Sequence, residues 1–563
     1  MTGASVRFEL GAWAGTERGR QGQRLVAHWL AHQGHDDPQK FFDYSLSQLP
    51  DPYSLYRLQE AAELLVGALS SGQKVMVVGD YDVDGVTSTA LLVRFFRACG
   101  FAVDWLIPNR FSEGYGLNAL VVKRILAESP DWVVTVDNGI TAKEQVRQLE
   151  AAGVKVVVTD HHLPVQGKVP ECLVINPKLP ENQGYAARDL SGAGVAFMLL
   201  LALRKELRGQ GFWTGKKEPN LLESLDLVAL GNVADQVPLV GVNRVLTHHG
   251  LEQMRRRLDE PANLPGPASY LKTFQQDQKF SFINAETLGF RLGPLINAAG
   301  RMADAGLAVE FLLEPQLEAS AESLKGLQRF NQQRKKKQAT MVSRAAGLVS
   351  EPNPQGLVLV DSSFHEGLVG VVASKLSEQY QCPTLVGTLS DQGTIKCSGR
   401  SKSGDLTQIL GQLDDLLLGY GGHAAAAGCQ FRPEDLDEVQ RRFCEASASV
   451  TEGAKAAVLG DYEVTKEMLT LEFSHQLKQL EPFGRGNEKP VFWIKSLSLG
   501  QPRTMGEFHL KWEVAPGLDF IRWDGAKEGM EPGEYQVAFV LSENHFRGRV
   551  SLQAVIGHHT RLG

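Results

Sequence analysis

Short β-branched segments alternate with helical segments from Lys74 onward, and this alternation constrains the fold more than any other feature of the sequence. The pattern predicts strands at 74–78, 102–107, 132–136 and 155–159, with helices at 86–97, 117–128 and 141–152. Strands that alternate with helices form a parallel sheet whose two faces are both covered. The sequence therefore predicts an α/β domain with a parallel sheet, which we place at residues 71–314.

Four further segments are indicated by changes in the pattern along the 563 residues, a length that allows three or four domains at roughly 150 residues each. Residues 1–70 are predicted to form an N-terminal helical arm, and residues 315–349 a long polar connector helix. A second, smaller α/β unit is predicted at 350–450. Residues 451–563 contain short strands separated by Gly and Pro turns, a pattern typical of a small antiparallel β-barrel.

Composition limits the class of protein further. The net charge of −7 argues against a surface that coats nucleic acid or membrane throughout, but it allows a local basic groove. The six cysteines include no CxxC pair, as expected in a reducing compartment. The longest apolar run, 190–203, is shorter than the about 20 residues that a membrane-spanning helix needs. With no apolar leader visible, we expect a soluble, cytoplasmic protein that makes no membrane contact.

The first loop after a predicted strand has the sequence GDYDVDG, which places Asp80, Asp82 and Asp84 two residues apart. Extended residues at this spacing point the same way, so the three carboxylates would converge at one strand end. Their mutual repulsion would make that arrangement costly without cations. An EF-hand loop is excluded because the twelfth residue of the loop is Leu91 rather than Glu.

Acidic residues recur at the ends of three later elements. Asp137 follows the third predicted strand, Asp160-His161-His162 follows the fourth, and Asp235 follows an apolar helix. Open parallel sheets bind their ligands just outside the carboxyl ends of the strands. Carboxylates with one imidazole suit Mn²⁺ or Mg²⁺ better than structural zinc, and several shared carboxylates suggest two ions about 3.5–4 Å apart. The residues alone therefore predict a two-metal phosphoesterase.

The motifs DYDVDG, VDNG, TDHH and NVADQVPL occur in this order, and together they resemble those of the DHH phosphoesterase superfamily. Later motifs resemble those of its members that degrade single-stranded DNA, namely PNRFSEGYGL, INAAGRM, HEGLVGVVASKL, SGRS and GGHAAAAG. The resemblance extends over nearly the whole chain beyond the predicted arm. It implies a DHH domain, a connecting helix, a DHHA1 domain and a C-terminal OB-fold.

The resemblance also implies the site residues. Two Mn²⁺ or Mg²⁺ ions would be held by Asp82, Asp84, Asp137, His161 and Asp235. Asp137 would bridge the two ions. Two further residues would serve catalysis: Asp80 beside the first ion, as an added ligand or a supporting acceptor, and His162 facing the scissile phosphate. A pocket for the 5′-phosphate of DNA would be formed by Arg110, Arg301, Gln332, Ser398 and Arg400, and other substrate contacts by Gly421, Gly422 and His423. Leu295 stands where the family often carries Arg, which would remove one phosphate contact.

The activity implied is metal-dependent, 5′-to-3′ hydrolysis of single-stranded DNA to mononucleotides in recombination and repair. The implied partners are single-stranded DNA with a 5′-phosphate, a single-strand-binding protein and a helicase, and the protein is expected to be a monomer. Two alternatives stay open: a DHH hydrolase of oligoribonucleotides or nucleotide phosphates, and a non-catalytic single-strand-binding scaffold. The first class is typically shorter than this chain. The second would be marked by loss of metal ligands, and all five are present.

Two further features would assist DNA binding. The predicted connector carries a basic stripe composed of Lys325, Arg329, Arg334, Lys335, Lys336, Lys337 and Arg344. The predicted barrel contains the aromatic residues Phe492, Trp493, Phe508, Trp512, Phe520, Trp523 and Phe546. Alternation along the strands predicts that about half of these rings lie in the core, which leaves the others free to stack on bases.

Overall fold

The computed structural model describes residues 25–27, 29–31, 33–34, 37–259, 267, 269–272, 283–349, 354–390, 392–451, 461–546 and 549–562. The first 24 residues of the predicted arm lie outside this part of the chain. Three β-sheets define three units in chain order. A long helix connects the first unit to the second.

A five-stranded parallel sheet forms the first unit, as the alternation of strands and helices predicts. Its strands are β1 (Val75–Val78), β2 (Val103–Leu106), β3 (Trp132–Val136), β4 (Lys155–Thr159) and β5 (Leu173–Ile175), in the spatial order β2-β1-β3-β4-β5. Every residue of β1 and β3 is buried, because apolar cores lie on both faces of the sheet. The helices between and after the strands are Val83–Ala98, Ala119–Glu128, Lys143–Ala151, Gly192–Gly209, Leu225–Ala234 and Gly241–Asp259.

The first unit ends in a helical layer. Its elements are Ala285–Thr287, a π-helical segment Leu288–Leu292, Gly293–Met302 and Gly306–Leu313. Capping side chains fix where three helices of the unit begin: Asp82 caps Val83–Ala98, Asn118 caps Ala119–Glu128 and Ser191 caps Gly192–Gly209. The last of these contains the apolar run of the sequence and is mostly buried, as predicted. None of the described helices combines the length and the apolar character that crossing a membrane would need.

The described part of the N-terminal segment is helical and packs into two different cores. Its elements are the helices Pro38–Phe42 and Leu58–Ser70 and the 3₁₀ turns Leu46–Gln48 and Pro52–Ser54. Leu58–Ser70 contributes to the core of the first unit. Trp29, Leu30 and Phe41 instead belong to the core of the third unit. Residues close together in sequence therefore join the beginning of the chain to both of these units.

The connector helix, Leu317–Ala346, has 30 residues and confirms the helix predicted between the two α/β units. Leu324 and Leu327 lie in the core of the first unit, whereas Met341 and Ala345 lie in a core of the second. The two ends of one helix are thus buried in different units. This arrangement constrains how those units sit against each other.

The second unit contains a mixed five-stranded sheet. Its strands are β6 (Leu357–Val360), β7 (Thr384–Leu389), β8 (Ile395–Arg400), β9 (Leu417–His423) and β10 (Ala426–Phe431), in the order β6-β7-β8-β10-β9. Only β6 and β7 pair in parallel. The helix Val369–Tyr380 covers one face, and the helices Leu406–Gly411 and Leu436–Thr451 cover the other. β9 is an edge strand and is mostly exposed.

The third unit is a seven-stranded sheet around one core. Its strands are β11 (Tyr462–Glu463), β12 (Val491–Leu499), β13 (Arg503–Met505), β14 (His509–Ala515), β15 (Leu518–Arg522), β16 (Gly533–Phe546) and β17 (Arg549–Arg561), and the helix Leu471–Lys478 packs beside it. Most strand pairs are antiparallel, as predicted, but β11–β12 and β15–β17 pair in parallel. The long β16–β17 hairpin lies between β12 and β15 in the sheet, so β15 pairs with β17 and not with β16, the next strand in sequence.

The barrel aromatics divide between core and surface, as alternation predicts. Phe492, Trp512 and Phe520 are buried in the core of the third unit. Phe508 and Trp523 are 41% and 48% exposed. The side chain of Phe546, which the sequence also singled out, lies outside the described residues.

Candidate active site

The acidic loop that the sequence predicts after β1 lies at the carboxyl end of that strand. Asp82 begins the next helix: its Oδ1 accepts hydrogen bonds from the backbone N–H groups of Asp84 (3.0 Å) and Gly85 (3.2 Å). The cap therefore uses one oxygen of Asp82 and leaves the other for a ligand. Asp80 is buried, and its Oδ1 has no hydrogen-bond partner within the described part of the chain.

Asp84 is held by the start of another helix. Its Oδ2 accepts a hydrogen bond from the backbone N–H of Gly192 (2.6 Å), and its Oδ1 accepts one from Ala193 (2.9 Å). A helix N-terminus stabilises a carboxylate through such N–H groups and the helix dipole. Gly192 also leaves room for Asp137, because a Cβ at position 192 would lie 2.6 Å from the Cβ of Asp137. Only glycine permits this approach.

Asp137 follows β3 in an unusual backbone conformation. Its φ is +61°, in the left-handed region that Asp tolerates better than most residues. Its backbone N–H donates to the carbonyl of Thr159 at 3.0 Å, which ties the ends of β3 and β4 together. The side chain is buried and its Oδ1 has no hydrogen-bond donor among the described residues. Strained backbone of this kind is found preferentially at functional sites.

These carboxylates converge on His161, which follows β4. Its Nε2 lies 3.1 Å from an oxygen of Asp137 and 3.7 Å from an oxygen of each of Asp84 and Asp235. Asp235 comes from the C-terminal end of the helix Leu225–Ala234. The structure therefore brings together all five side chains that the resemblance implies as metal ligands, and Asp80 lies beside them.

The ligand atoms fall into overlapping groups of three. Within each group, all of the ligand atoms lie within 4.8 Å of one another. The groups are Asp84-His161-Asp235, Asp80-Asp82-Asp137 and Asp137-His161-His162. Asp137 belongs to two of them and lies between the carboxylates from the first loop and the two histidines. This is the arrangement expected of a side chain shared by two ions.

The pKa values of these side chains show that the clustered carboxylates need cations to stay ionised together. Burial, reinforced by the neighbouring carboxylates, raises the pKa of Asp84 to about 7 and that of Asp235 to about 6. The same causes raise the pKa values of Asp80 and Asp137. Burial lowers the pKa of His161, so its imidazole is neutral near pH 7 and can bind a metal. Both of its ring nitrogens lack a hydrogen-bond partner among the described residues. The donor set thus fits divalent cations that prefer oxygen ligands with one imidazole.

His162 has a different environment from its neighbour. Its Nδ1 lies 2.7 Å from Oδ1 of Asp160, and the side chain is 43% exposed. Burial alone would lower the pKa of His162, but the hydrogen bond to Asp160 and the nearby carboxylates raise it to about 9. Asp160 also accepts hydrogen bonds from the backbone N–H groups of Ile140 and His161, so its own position is fixed. The structure therefore offers a protonated imidazole at the edge of the acidic centre.

A second cluster of like charges is formed by four arginines. Its members are Arg110 from the loop after β2, Arg301 at the end of Gly293–Met302, Arg334 of the connector helix and Arg400 at the end of β8. Burial and the guanidinium groups of the other three lower the pKa of Arg301 to about 10. We call these four residues the arginine cluster.

The contacts of the arginine cluster within the described residues are mainly to neutral groups. Arg301 donates to the carbonyl of Gly367 at 3.2 Å, and Arg400 donates to the carbonyl of Gly399 at 2.7 Å. Arg110 lies over the ring of Tyr81. Guanidinium groups that repel one another suit an anionic ligand, which they bind through paired hydrogen bonds.

The sheet register relates the arginine cluster to the glycine-rich strand β9. Ser398 and Arg400 alternate along β8 and therefore share a face. Through β10, Arg400 is in one cross-strand row with His423, and Ser398 is in a row with Gly421. Members of a row share a sheet face, whereas Gly422 falls on the opposite face. Two of the three predicted β9 residues thus lie on the face that carries Arg400.

Three family models match the chain: the DHH family N-terminal domain at residues 74–232, the DHHA1 domain at 353–448 and the RecJ OB domain at 460–558. The single-stranded-DNA-specific exonuclease RecJ of Haemophilus influenzae is 34% identical over 556 residues, which cover 93% of this chain and 94% of that protein. The chain belongs to the RecJ family. The matches confirm the fold class, with DHH, DHHA1 and OB domains in the predicted order.

Solved RecJ structures share this fold. The crystal structure of Thermus thermophilus RecJ in complex with Mn²⁺ is similar with a TM-score of 0.78 at 31% identity, covering 96% of this chain and 76% of that one. The corresponding complex with Mg²⁺ gives a TM-score of 0.73 at 29% identity, covering 96% of this chain and 74% of that one. The predicted site residues of this RecJ family member stay predictions, supported by the geometry described above.

The structure also shows the surroundings of two other residues that the resemblance singles out. Gln332 is exposed on the connector helix, two residues from Arg334 and therefore about 200° around the helix axis from it. Arg334 contributes its guanidinium to the arginine cluster, and the substrate contact of Gln332 stays a prediction. Leu295, which stands where the RecJ family often carries Arg, is buried in the core of the first unit.

Sequence reasoning missed the environment of Arg334 and the role of Asp160. Arg334 was placed in the basic stripe of the connector, but its guanidinium is half-buried and donates to the side chains of Asn331 and Gln338. The apolar residues Leu327 and Met341 lie two helical turns before and after Arg334, and this spacing would have indicated that its side of the helix faces the protein. Asp160 was recognised only as part of a motif, and nothing in the sequence distinguishes a carboxylate that binds metal from one that orients an imidazole.

Proposed function

We propose that this chain is a metal-dependent exonuclease that degrades single-stranded DNA from the 5′ end to mononucleotides, in recombination and repair. The observation that carries the proposal is the convergence of five carboxylates and His161 at one edge of the first sheet, in a member of the RecJ family. An arginine cluster suited to a phosphate supports it. The matched RecJ proteins are named as exonucleases specific for single-stranded DNA.

Two metal ions would occupy the acidic centre. Asp84, His161 and Asp235 would hold one ion and Asp80 and Asp82 the other, with Asp137 as a ligand shared by both. The related structures contain Mn²⁺ or Mg²⁺, and both ions suit this donor set. When bound, two such ions activate water for attack and neutralise the charge of a phosphodiester.

His162 would act on the leaving group. Its raised pKa keeps the imidazole protonated at neutral pH, and Asp160 fixes the proton of Nδ1. The opposite nitrogen, Nε2, is then available to donate a proton to the 3′ oxygen as it leaves the phosphorus. His162 would also compensate the charge that develops on the phosphate.

The arginine cluster would determine polarity. A terminal 5′-phosphate is smaller and more highly charged than an internal phosphodiester, so it matches a buried group of guanidinium side chains. Ser398 and Arg400 from the second unit, with Arg110 and Arg301 from the first, would hold this phosphate. The first phosphodiester bond would then lie at the metal ions. The 5′-to-3′ polarity of digestion would follow, because this pocket would fix the position of the 5′ end.

Selectivity for single strands would come from the passage between the first and second units. The helix Gly293–Met302 and the turn Glu366–Leu368 approach closely there, with Arg301 donating to Gly367 across the boundary. A duplex is wider than a single strand and would not enter. Equal rates for blunt duplex and for single strands would contradict this interpretation.

The cellular setting completes the proposal. All six cysteines are free, which suits the reducing cytoplasm. We propose that the protein acts there as a monomer, with a single-strand-binding protein and a helicase that supplies single strands as partners. Size-exclusion chromatography with light scattering would test the oligomeric state, and pull-down with purified partners would test the interactions.

The first experiment is digestion of a 5′-phosphorylated single strand labelled at either end, with Mn²⁺, Mg²⁺ or a chelator. Immediate release of 5′-labelled mononucleotide that the chelator abolishes is expected. Release from the 3′ end would keep the metal chemistry but overturn the phosphate pocket. Preference for oligoribonucleotides would favour a different hydrolase of the superfamily, and binding without cleavage would favour a scaffold.

A further inference from the structure

The acidic centre and the arginine cluster meet at one residue, Tyr81, which lies between Asp80 and Asp82 in the loop after β1. Both of these neighbours belong to one group of candidate metal ligands. Burial raises the pKa of Asp80, and the charge of Arg110 opposes that rise. Burial and the other guanidinium groups lower the pKa of Arg301, and the charge of Asp82 opposes that fall. The two sites are therefore close enough to act on each other's charges.

The ring of Tyr81 supports a guanidinium of the arginine cluster. The Cζ atom of Arg110 lies over this ring, 5.0 Å from its centroid, a distance at which a cation is attracted to an aromatic face. Burial and a neighbouring carboxylate raise the pKa of Tyr81 to about 12, and the charges of Arg110 and Arg301 oppose that rise. The phenol is thus neutral at pH 7, with two guanidinium groups of the cluster near it.

The backbone of Tyr81 supports the helix that carries Arg301. A Cβ at Gly300 would lie 2.6 Å from the backbone oxygen of Tyr81 and 3.5 Å from the Cβ of that residue. Because only glycine permits this approach, the last turn of the helix Gly293–Met302 lies directly on the loop of acidic residues. Tyr81 therefore connects this loop to two members of the arginine cluster, to Arg110 through its ring and to Arg301 through its backbone.

A second ring holds Tyr81 in place. The centroids of the Tyr81 and Tyr115 rings are 6.1 Å apart and their planes are nearly perpendicular, an edge-to-face arrangement that aromatic pairs favour. Tyr115 lies in the loop after β2, as Arg110 does. Tyr81 also packs against the core of the first unit. The ring is thus fixed on several sides while it carries the guanidinium.

We infer that Tyr81 sets the distance between the terminal-phosphate pocket and the metal ions, and so determines that one nucleotide is released in each cycle. This inference rests on the proposed function. When the arginine cluster holds the 5′-phosphate, the bond that is cut is the one that reaches the metal ions, so the spacing of the two sites fixes the length of the product. Tyr81 is a positioning residue, because it acts through Arg110 and through the helix that carries Arg301.

The length of the product gives the direct test. The full chain with Mn²⁺ digests a single strand that carries a labelled 5′-phosphate, and anion-exchange chromatography separates labelled mononucleotide from dinucleotide. Tyr81→Leu, which keeps an apolar side chain but removes the ring, should release dinucleotide together with mononucleotide. Tyr81→Phe, which keeps the ring, should release mononucleotide alone. In Tyr81→Leu the preference for a 5′-phosphate over a 5′-hydroxyl should fall roughly 2- to 30-fold, the range expected for the loss of a cation–π contact.

Tyr53→Leu is the matched control. Lys205 lies over the Tyr53 ring, 3.9 Å from its centroid, but neither residue belongs to the acidic centre or to the arginine cluster. This variant should give the products and the end preference of the wild type.

Two measurements separate positioning from a general loss of structure. Tyr81→Leu should keep the increase in melting temperature that Mn²⁺ gives the wild type. In the Arg110→Ala background, Tyr81→Leu should cause no further fall in the preference for a 5′-phosphate, because both changes remove the same contact.

Gly300→Ala tests the same spacing from the side of the helix, and it replaces Tyr81→Leu if that variant does not fold. Its added Cβ would displace the Arg301-bearing helix from the acidic loop, so dinucleotide is again expected. Mononucleotide as the sole product, with the end preference of the wild type, would overturn the inference. So would slower turnover with an unchanged product length. If the wild-type chain degrades no single strand, or degrades it from the 3′ end, the proposed function has failed instead, and the two failures are therefore distinguishable.

Discussion

The predicted metal centre, which comprises five carboxylates and His161, and the arginine cluster each gather like charges in the interior, but the two are assembled differently. Every carboxylate of the metal centre comes from the first unit, and most follow strands of one sheet. The arginine cluster takes residues from the first unit, the connector helix and the second unit. A site built at one sheet edge is formed when that unit folds. A site built across units depends on how they pack, so its geometry can change while the metal centre stays intact.

The largest effect is expected at Asp137, which belongs to two of the groups of ligand atoms. Asp137→Asn should lower kcat by more than about 100-fold, the upper range for residues that only support a metal ligand. It should also abolish the increase in melting temperature on addition of Mn²⁺, while the fold is retained. Circular dichroism and a thermal melt with and without Mn²⁺ test both points. The matched control is Asp104→Asn, an exposed carboxylate on β2. Normal turnover in Asp137→Asn would remove the two-metal interpretation.

The next effect concerns the proton on His162. Asp160 raises the pKa of His162 to about 9, so the imidazole stays charged up to that pH and loses its proton above it. Asp160→Asn should shift the alkaline decline of kcat to lower pH and reduce kcat at pH 8 by about 10- to 100-fold. A kcat–pH profile from pH 6 to 10 measures this. An unchanged alkaline limb would show that His162 does not donate the proton.

Substitutions in the arginine cluster should change the enzyme's preference for the chemical group at the 5′ end of the strand. Arg400→Ala should reduce the preference for a 5′-phosphate over a 5′-hydroxyl by roughly tenfold, since a hydrogen bond to a charged group contributes about 1.5–3 kcal/mol. Comparing Arg334→Ala with Gln332→Ala tests which side of the connector helix contacts the terminal phosphate. The ratio of kcat/KM for the two kinds of end should fall in the first variant and change less in the second. The opposite ranking would favour the sequence-based assignment of Gln332.

The smallest effect is on the stability of the metal-free protein. Asp84 and Asp235 titrate near 7 and 6 when folded, above their ordinary value of 3.8, so the native state binds protons more tightly than the unfolded state. Their contribution to stability is present below pH 4 and is lost as pH rises towards 7. Addition of Mn²⁺ should therefore raise the melting temperature by about a few degrees more at pH 8 than at pH 5.5. Differential scanning calorimetry at the two pH values tests this, and an equal increase at both would contradict it.

The sequence predicted the first sheet and the convergence of acidic side chains at its edge, because both depend on local pattern. The bounds predicted for β3 and β4 agree with the structure, and residues at the carboxyl ends of parallel strands meet by topology. Asp137 illustrates this, since its position after β3 was enough to place it. Its left-handed backbone and its contact with Gly192 could not be read from the sequence, because they depend on a helix that starts more than 50 residues later.

The rest depended on packing between elements. Whether Gln332 or Arg334 faces the second unit is decided by the rotation of one helix, and the sequence indicates that rotation only through the spacing of its apolar residues. The parallel pairing of β15 with β17 arises from a hairpin that lies between distant strands.

The division of the N-terminal segment between two cores affects how the protein can be made. Trp29 and Leu30 leave the ribosome early, but the strands that cover them are synthesised only after several hundred further residues. At about 5–20 residues per second, these apolar side chains wait for tens of seconds without their native partners. Folding of the third unit therefore includes a step in which its core captures Trp29 and Leu30. A nascent chain stalled before that step would expose them to chaperones and proteases.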